Sequence, residues 1–115
     1  MSALNLAQSL IRIKSISPND AGCFEIIGPE LTNLGFKVEK IKELNSETLL
    51  AKFGNTGKIF CYLGHTDVVP AGPIEEWSSH PFEANIVNKE LIGRGAADMK
   101  ASVAAFIEAL KNFLA

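Results

Sequence analysis

Apolar residues recur at helical spacing at the front of the chain. Leu6, Leu10 and Ile13, with Leu4, Ala7 and Ile11 beside them, predict an amphipathic helix over residues 3–14. Ser15-Ile16-Ser17-Pro18 breaks it. Ile27, Leu31 and Leu34 predict a second helix from about Asp20, closed by Gly35. Pro29 lies inside that pattern and removes a backbone donor, which predicts a kink or a late helix start. The period then changes to two. Phe36 to Ile41 alternates apolar and polar as a half-exposed strand does, and Leu49 to Phe53 forms a second strand ended by Gly54-Asn55-Thr56-Gly57. Ile59-Phe60-Cys61-Tyr62-Leu63 is apolar throughout, the pattern of a strand buried on both faces in the middle of a covered sheet. Ala84–Val87 and Glu90–Ile92 flank Asn88-Lys89 as a hairpin would. Val103, Phe106, Ile107, Leu110, Phe113 and Leu114 mark a last helix from about Lys100. Helices before, strands between and a helix after predict an α/β fold, a layered sheet with flanking helices. The apolar stripe of the last helix continues to Leu114 with no stop signal, which predicts the front part of something longer.

Composition narrows the function classes. At 115 residues and 47% hydrophobic, the chain suits one small folded domain. Net charge is −2 with the signs mixed, which argues against a nucleic-acid footprint. No apolar run approaches the ~20 residues of a membrane span. Arg12 and Lys14 interrupt the first helix where a signal peptide would be apolar, so the expected location is cytoplasmic. In that reducing setting Cys23 and Cys61 are expected as free, buried and inert thiols.

Gly93-Arg94-Gly95-Ala96-Ala97-Asp98-Met99-Lys100 has the look of a glycine-rich nucleotide loop before a helix. Asp98 occupies the place of the third glycine, where its charge would repel a pyrophosphate. The acidic residue wanted about twenty positions later at a strand end is missing, because Glu108 lies on the helix. These residues argue against nucleotide binding. Two other readings of Asp98 stand together: a helix N-cap, and a carboxylate kept ionised at a helix start and so fit for a metal. His65 and Asp67 directly follow the apolar run, where α/β sheets place their ligands. Imidazole is a common zinc ligand, and a nearby carboxylate often holds its second nitrogen. A turn histidine, with Asp67 opening a turn before Pro70, explains the same residues without chemistry.

Gly64-His65-Thr66-Asp67-Val68-Val69-Pro70-Ala71-Gly72 resembles the first metal motif of the two-zinc amidohydrolases and exopeptidases, the family of aminoacylases, acetylornithine deacetylase and succinyl-diaminopimelate desuccinylase. Trp77, Pro81-Phe82 and Leu91–Lys100 resemble its second block, in register. Ser15–Cys23 and Ala96-Ala97 are most like the desuccinylase members, and the resemblance spans nearly the whole chain. Ile92 stands where the family usually has tyrosine and Ala101 where it often has glycine, neither of them ligand positions. The resemblance implies that His65 binds one zinc, Asp98 bridges two zincs, Asp67 orients His65, and the Asp98–Met99 peptide bond is cis. Cobalt is an implied substitute metal.

The resemblance further implies an activity: hydrolysis of the amide of N-succinyl-L,L-diaminopimelate, with release of succinate, in lysine and diaminopimelate synthesis. Alternatives are acetylornithine deacetylase chemistry, another N-acyl amino acid or peptide as substrate, or a truncated folding unit without catalysis. The family's paired glutamates, further carboxylate and late histidine have no counterpart here. Glu75-Glu76 precedes Trp77 in the wrong place and reads as a solvated pair, and His80 before Pro81 reads as a loop residue. Residues 1–115 are therefore expected to be the N-terminal portion of a metallohydrolase catalytic domain, inactive alone and not holding two zincs. The complete enzyme would be a homodimer through an inserted domain that is absent here. This chain would self-associate through an exposed sheet edge.

Overall fold

Ser2 opens the first helix by accepting the Asn5 N–H at 3.2 Å. In this computed structural model, which describes all 115 residues, that helix is α1 (Ala3–Ile11). It buries Leu6, Ala7, Leu10 and Ile11 on one face, as the spacing predicts. The Asp20 carboxylate starts the second helix, accepting the N–H groups of Gly22 and Phe24 at 3.1 and 3.0 Å. Helix α2 (Cys23–Asn33) passes through Pro29, so its start is set by Asp20 and not delayed to the proline. It ends as predicted on Gly35, at φ +96°. Phe36 N–H returns to Leu31 O and Gly35 N–H to Thr32 O, which satisfies the last carbonyls.

Strands β1 (Lys37–Glu43) and β2 (Ser46–Lys52) form one antiparallel hairpin, in register from Lys37 opposite Lys52 to Glu43 opposite Ser46. The hairpin packs on α2. A second hairpin joins β3 (Ile86–Val87) to β4 (Glu90–Leu91). Asn88 and Lys89 both have positive φ (51° and 66°), the backbone of the tight turn that matches strand twist. Helix α3 (Ala101–Leu114) closes the chain and packs Val103, Ala104 and Ile107 against α1. With Cys23, Ile27 and Leu31 of α2 these form one core of nine buried residues. No helix is long and apolar enough to cross a membrane.

The fold is mixed α/β as expected, but its strands form two separate two-stranded sheets. The buried central strand expected at Ile59–Leu63 is absent. The segment makes no ladder, and Ile59, Phe60 and Leu63 are 94%, 84% and 89% exposed. A strand buried on both faces needs a neighbour on each edge and layers above and below. Within these residues only Tyr62 finds cover, stacked on Phe106 with ring centroids 3.9 Å apart. Cys61 is exposed for the same reason, against the expectation of a buried thiol, whereas Cys23 is buried. Burial pushes the Cys23 thiol pKa up, as suits an inert core thiol.

Candidate metal centre

Residues 15–17, just past α1, lie alongside residues 66–68 and position the first motif. Ile16 and Val68 form a parallel bridge. Val68 N–H donates to Ser15 O at 2.8 Å and Ser17 N–H to Val68 O at 3.0 Å. The fully buried Ser15 hydroxyl donates to Thr66 O at 2.7 Å, and Thr66 Oγ1 reaches Asp20 Oδ1 at 3.3 Å. Asp67 and His65 are thus carried on a loop tied to the start of α2, although neither belongs to a strand.

The second motif is a tight reversal between β4 and α3. A Cβ on Gly93 would stand 2.4 Å from Ile11 Cγ2, and one on Gly95, at φ +90°, would stand 2.8 Å from Val68 Cγ1. These glycines serve close packing against α1 and the first motif, and are not a phosphate cradle. Arg94 lies over the Trp77 ring, 5.1 Å from its centroid. Lys100 N–H donates to Gly95 O at 2.8 Å, and its side chain is fully buried. Its Nζ donates to Leu10 O at 2.7 Å and Ile13 O at 2.8 Å, so this lysine caps α1 and ties it to the reversal. Desolvation pushes its pKa down.

Asp98 is not a helix cap. The cap position of α3 is Lys100, with no side-chain cap bond, and Asp98 has extended backbone (φ −127°, ψ 90°). The Asp98–Met99 peptide bond is cis. The Asp98 carboxylate accepts no helix N–H and is 86% exposed.

The two motifs meet here. His65 Nε2 lies 3.1 Å from Asp98 Oδ1, a contact between residues 33 apart in sequence. His65 Nδ1 lies 3.0 Å from the Asp67 backbone oxygen and 3.4 Å from Asp67 Oδ1. The other Asp67 oxygen accepts the Ser17 hydroxyl. A neutral imidazole has one N–H and two nitrogens that here both face oxygen. With the proton on Nδ1, the Nε2 lone pair faces a carboxylate lone pair unless a cation stands between them. Two ligands of one tetrahedral ion, each at about 2.0–2.1 Å, lie roughly 3.3 Å apart, close to the spacing found. The pair therefore fits a metal, but as a partial site. Nowhere do three His, Cys, Asp or Glu side chains converge in a metal-holding group. His80 accepts the Phe82 N–H on Nδ1 at 3.1 Å within its loop, and Glu75-Glu76 is exposed in a short turn, so neither joins the pair.

Residues 61–115 match the profile of peptidase family M20/M25/M40. The chain is 49% identical, over 96% of its length, to a succinyl-diaminopimelate desuccinylase of Thioalkalivibrio sulfidiphilus. It is 46% identical, again over 96%, to one of Aromatoleum aromaticum. Over residues 61–115 the chain is similar to peptidase family M20/M25/M40. It spans about 30% of the length of the curated relatives it matches. Among solved structures, an M20 family metallo-carboxypeptidase from Sulfolobus solfataricus superposes with a TM-score of 0.84 at 28% identity, over 99% of this chain and 27% of the other. Human carnosine dipeptidase 1 gives 0.82 at 26% identity, over 97% and 28%. Likeness to the M20 family points to divalent-metal chemistry in general.

Two residues that shape this candidate site were not singled out for it in the sequence. Ser17 is one of several serines in a turn, and nothing local marks it as a partner of a residue 50 positions away. Lys100 reads only as the start of the last helix, because its partners are backbone carbonyls that carry no sequence signal.

Proposed function

We propose that this chain supplies the front, metal-holding portion of a zinc-dependent amide hydrolase that removes succinate from N-succinyl-L,L-diaminopimelate. The observation that carries the reading is the convergence of His65 Nε2 and Asp98 Oδ1 at 3.1 Å from two separate motifs. The degree of identity to desuccinylases supports the substrate. In this reading residues 1–115 are the N-terminal portion of a catalytic domain. His65 holds one zinc, and Asp98, extended and exposed, has both oxygens available to bridge two. Asp67 keeps the His65 proton on Nδ1 and so aims Nε2 at the ion. Held there, zinc, or cobalt in its place, would supply Lewis-acid chemistry for activating water and polarising the amide carbonyl. The chain itself holds no carboxylate placed as a general base beside this pair, so it orients metal without completing hydrolysis. A cytoplasmic location, a small N-succinyl amino acid as partner and a homodimeric complete enzyme go with the reading.

Zinc titration by calorimetry tests it. We expect at most one weakly bound ion and no succinate release by this chain, with binding weakened at least about tenfold in His65→Ala and in Asp98→Ala, the loss of one ligand. Binding that is unchanged in both variants sinks the metal assignment. The solved neighbours, a dipeptidase and a carboxypeptidase, favour a second reading in which a peptide replaces the succinyl substrate. Expression with whatever coding sequence follows Ala115, and assay on N-succinyl-diaminopimelate, N-acetylornithine and a dipeptide, separates the two.

A further inference from the structure

We propose that Ser17 is a positioning residue for His65, acting through Asp67. Asp67 has one carboxylate oxygen near His65 Nδ1, at 3.4 Å, while its other oxygen accepts the Ser17 hydroxyl. The Asp67 backbone oxygen, which meets Nδ1 at 3.0 Å, is set by the same segment. Ser17 N–H is anchored on Val68 O at 3.0 Å, and Val68 N–H on Ser15 O at 2.8 Å. Ser17 therefore holds Asp67 from two sides: its backbone fixes the following residue, and its hydroxyl fixes the carboxylate. The histidine ring is nearly half exposed, and this clamp fixes its Nδ1 side while Asp98 meets Nε2. Without the hydroxyl, the Asp67 carboxylate is free to turn to solvent, and the proton on Nδ1 keeps its backbone acceptor but loses the carboxylate charge beside it. The proton then shifts toward Nε2, the nitrogen that faces Asp98, where it would compete with a metal. The inference rests on His65 being a metal ligand, but its first test needs no metal.

The histidine ring nitrogens of the metal-free chain are read by nitrogen-15 NMR at about pH 8.5, well above the ordinary imidazole pKa of about 6.5. His80 is the internal reference, because its Nδ1 accepts the Phe82 N–H and must be bare. In Ser17→Ala the Nδ1–H share of His65 is expected to fall roughly two- to tenfold, the equilibrium weight of a carboxylate charge close to a partly exposed N–H. Ser17→Thr, which keeps the hydroxyl, restores it, and His80 stays unchanged. Ser17 is exposed, so the melting temperature should hardly move. If Ser17→Ala does not fold, Ser17→Cys keeps the size with a weaker donor and is read the same way. A folded variant with the wild-type His65 tautomer ratio overturns the proposal. A zinc titration of the same spectra is the second arm. A Ser17-dependent ratio in a chain whose His65 signals ignore zinc upholds the positioning role and overturns the metal assignment.

Discussion

Lys100 is the one fully buried charged side chain, and its ammonium has no carboxylate partner. Desolvation works against it, and the carbonyls of Leu10 and Ile13 work for it. Lys100→Met keeps the volume and removes the charge, but leaves both carbonyls without their donor. Each unpaired buried acceptor costs about 1–3 kcal/mol, and relief of the desolvated ammonium offsets part of that. A net loss of about 1–3 kcal/mol is expected, read as a lower denaturant midpoint at unchanged slope. At this scale the sequence was legible where a side chain announces its chemistry. His65, Asp67 and Asp98 were named from residue type and spacing, and the structure brings all three together. It was silent where a side chain acts through distant backbone, as Lys100 does, or through another side chain, as Ser17 does. The N-cap reading of Asp98 failed because an aspartate before a helix looks the same whether it faces the helix or a histidine. Only the reversal at Gly93 and Gly95 decides which.

Helices α2 and α3 are joined at their outer ends by charge. Glu30 Oε2 accepts from Lys111 Nζ at 2.7 Å, and the Met1 amino group lies 3.5 Å from Oε1. The hydrogen bond from Lys111 holds the Glu30 carboxyl below its ordinary pKa, and the same bond raises Lys111. A depressed carboxylate pKa contributes stability that is present above the unfolded value, about 4.3, and lost as pH falls through the folded one. A raised lysine pKa contributes stability that is present below about 10.4 and lost as pH rises through the folded value. Glu30→Gln should therefore cost about 0.5–1 kcal/mol on the plateau between those limits, given a half-buried pair. The difference from wild type should shrink toward zero below about pH 4, and denaturant unfolding at pH 7 and pH 3 measures both ends. The elements themselves were largely legible, because each has a local cause: Ser2 and Asp20 begin helices, Gly35 ends one, and Asn88-Lys89 turns a hairpin. Ile59–Leu63 was not, because an apolar run states only that burial is wanted and does not name the cover.

That run governs the behaviour of the whole molecule. The chain is a slab of 51 × 36 × 20 Å with a radius of gyration of 14.9 Å, where a compact domain of this length has about 13 Å. The core is the α1–α2–α3 cluster, and the extended segment lies outside it. Ile59, Phe60, Cys61 and Leu63 are all exposed, and the backbone groups of residues 59–63 make no ladder. An exposed, apolar and unpaired strand is a template for another strand. Two copies can pair antiparallel about Cys61, with Ile59 of each opposite Leu63 of the other, and such a pair places the two Cys61 thiols opposite one another. Concentration-dependent association is therefore expected in sedimentation velocity, together with a dimer trapped by mild oxidation through Cys61. Phe60→Lys with Leu63→Lys should restore a monomer, because pairing would then bury ammonium groups against Tyr62 and Ile59 of the other copy. The buried Cys23 predicts no second cross-link, so Cys61→Ser should abolish the trapped dimer while leaving association intact. A wild-type chain that stays monomeric at high concentration, or a dimer that forms equally well in the double lysine variant, would place the contact elsewhere.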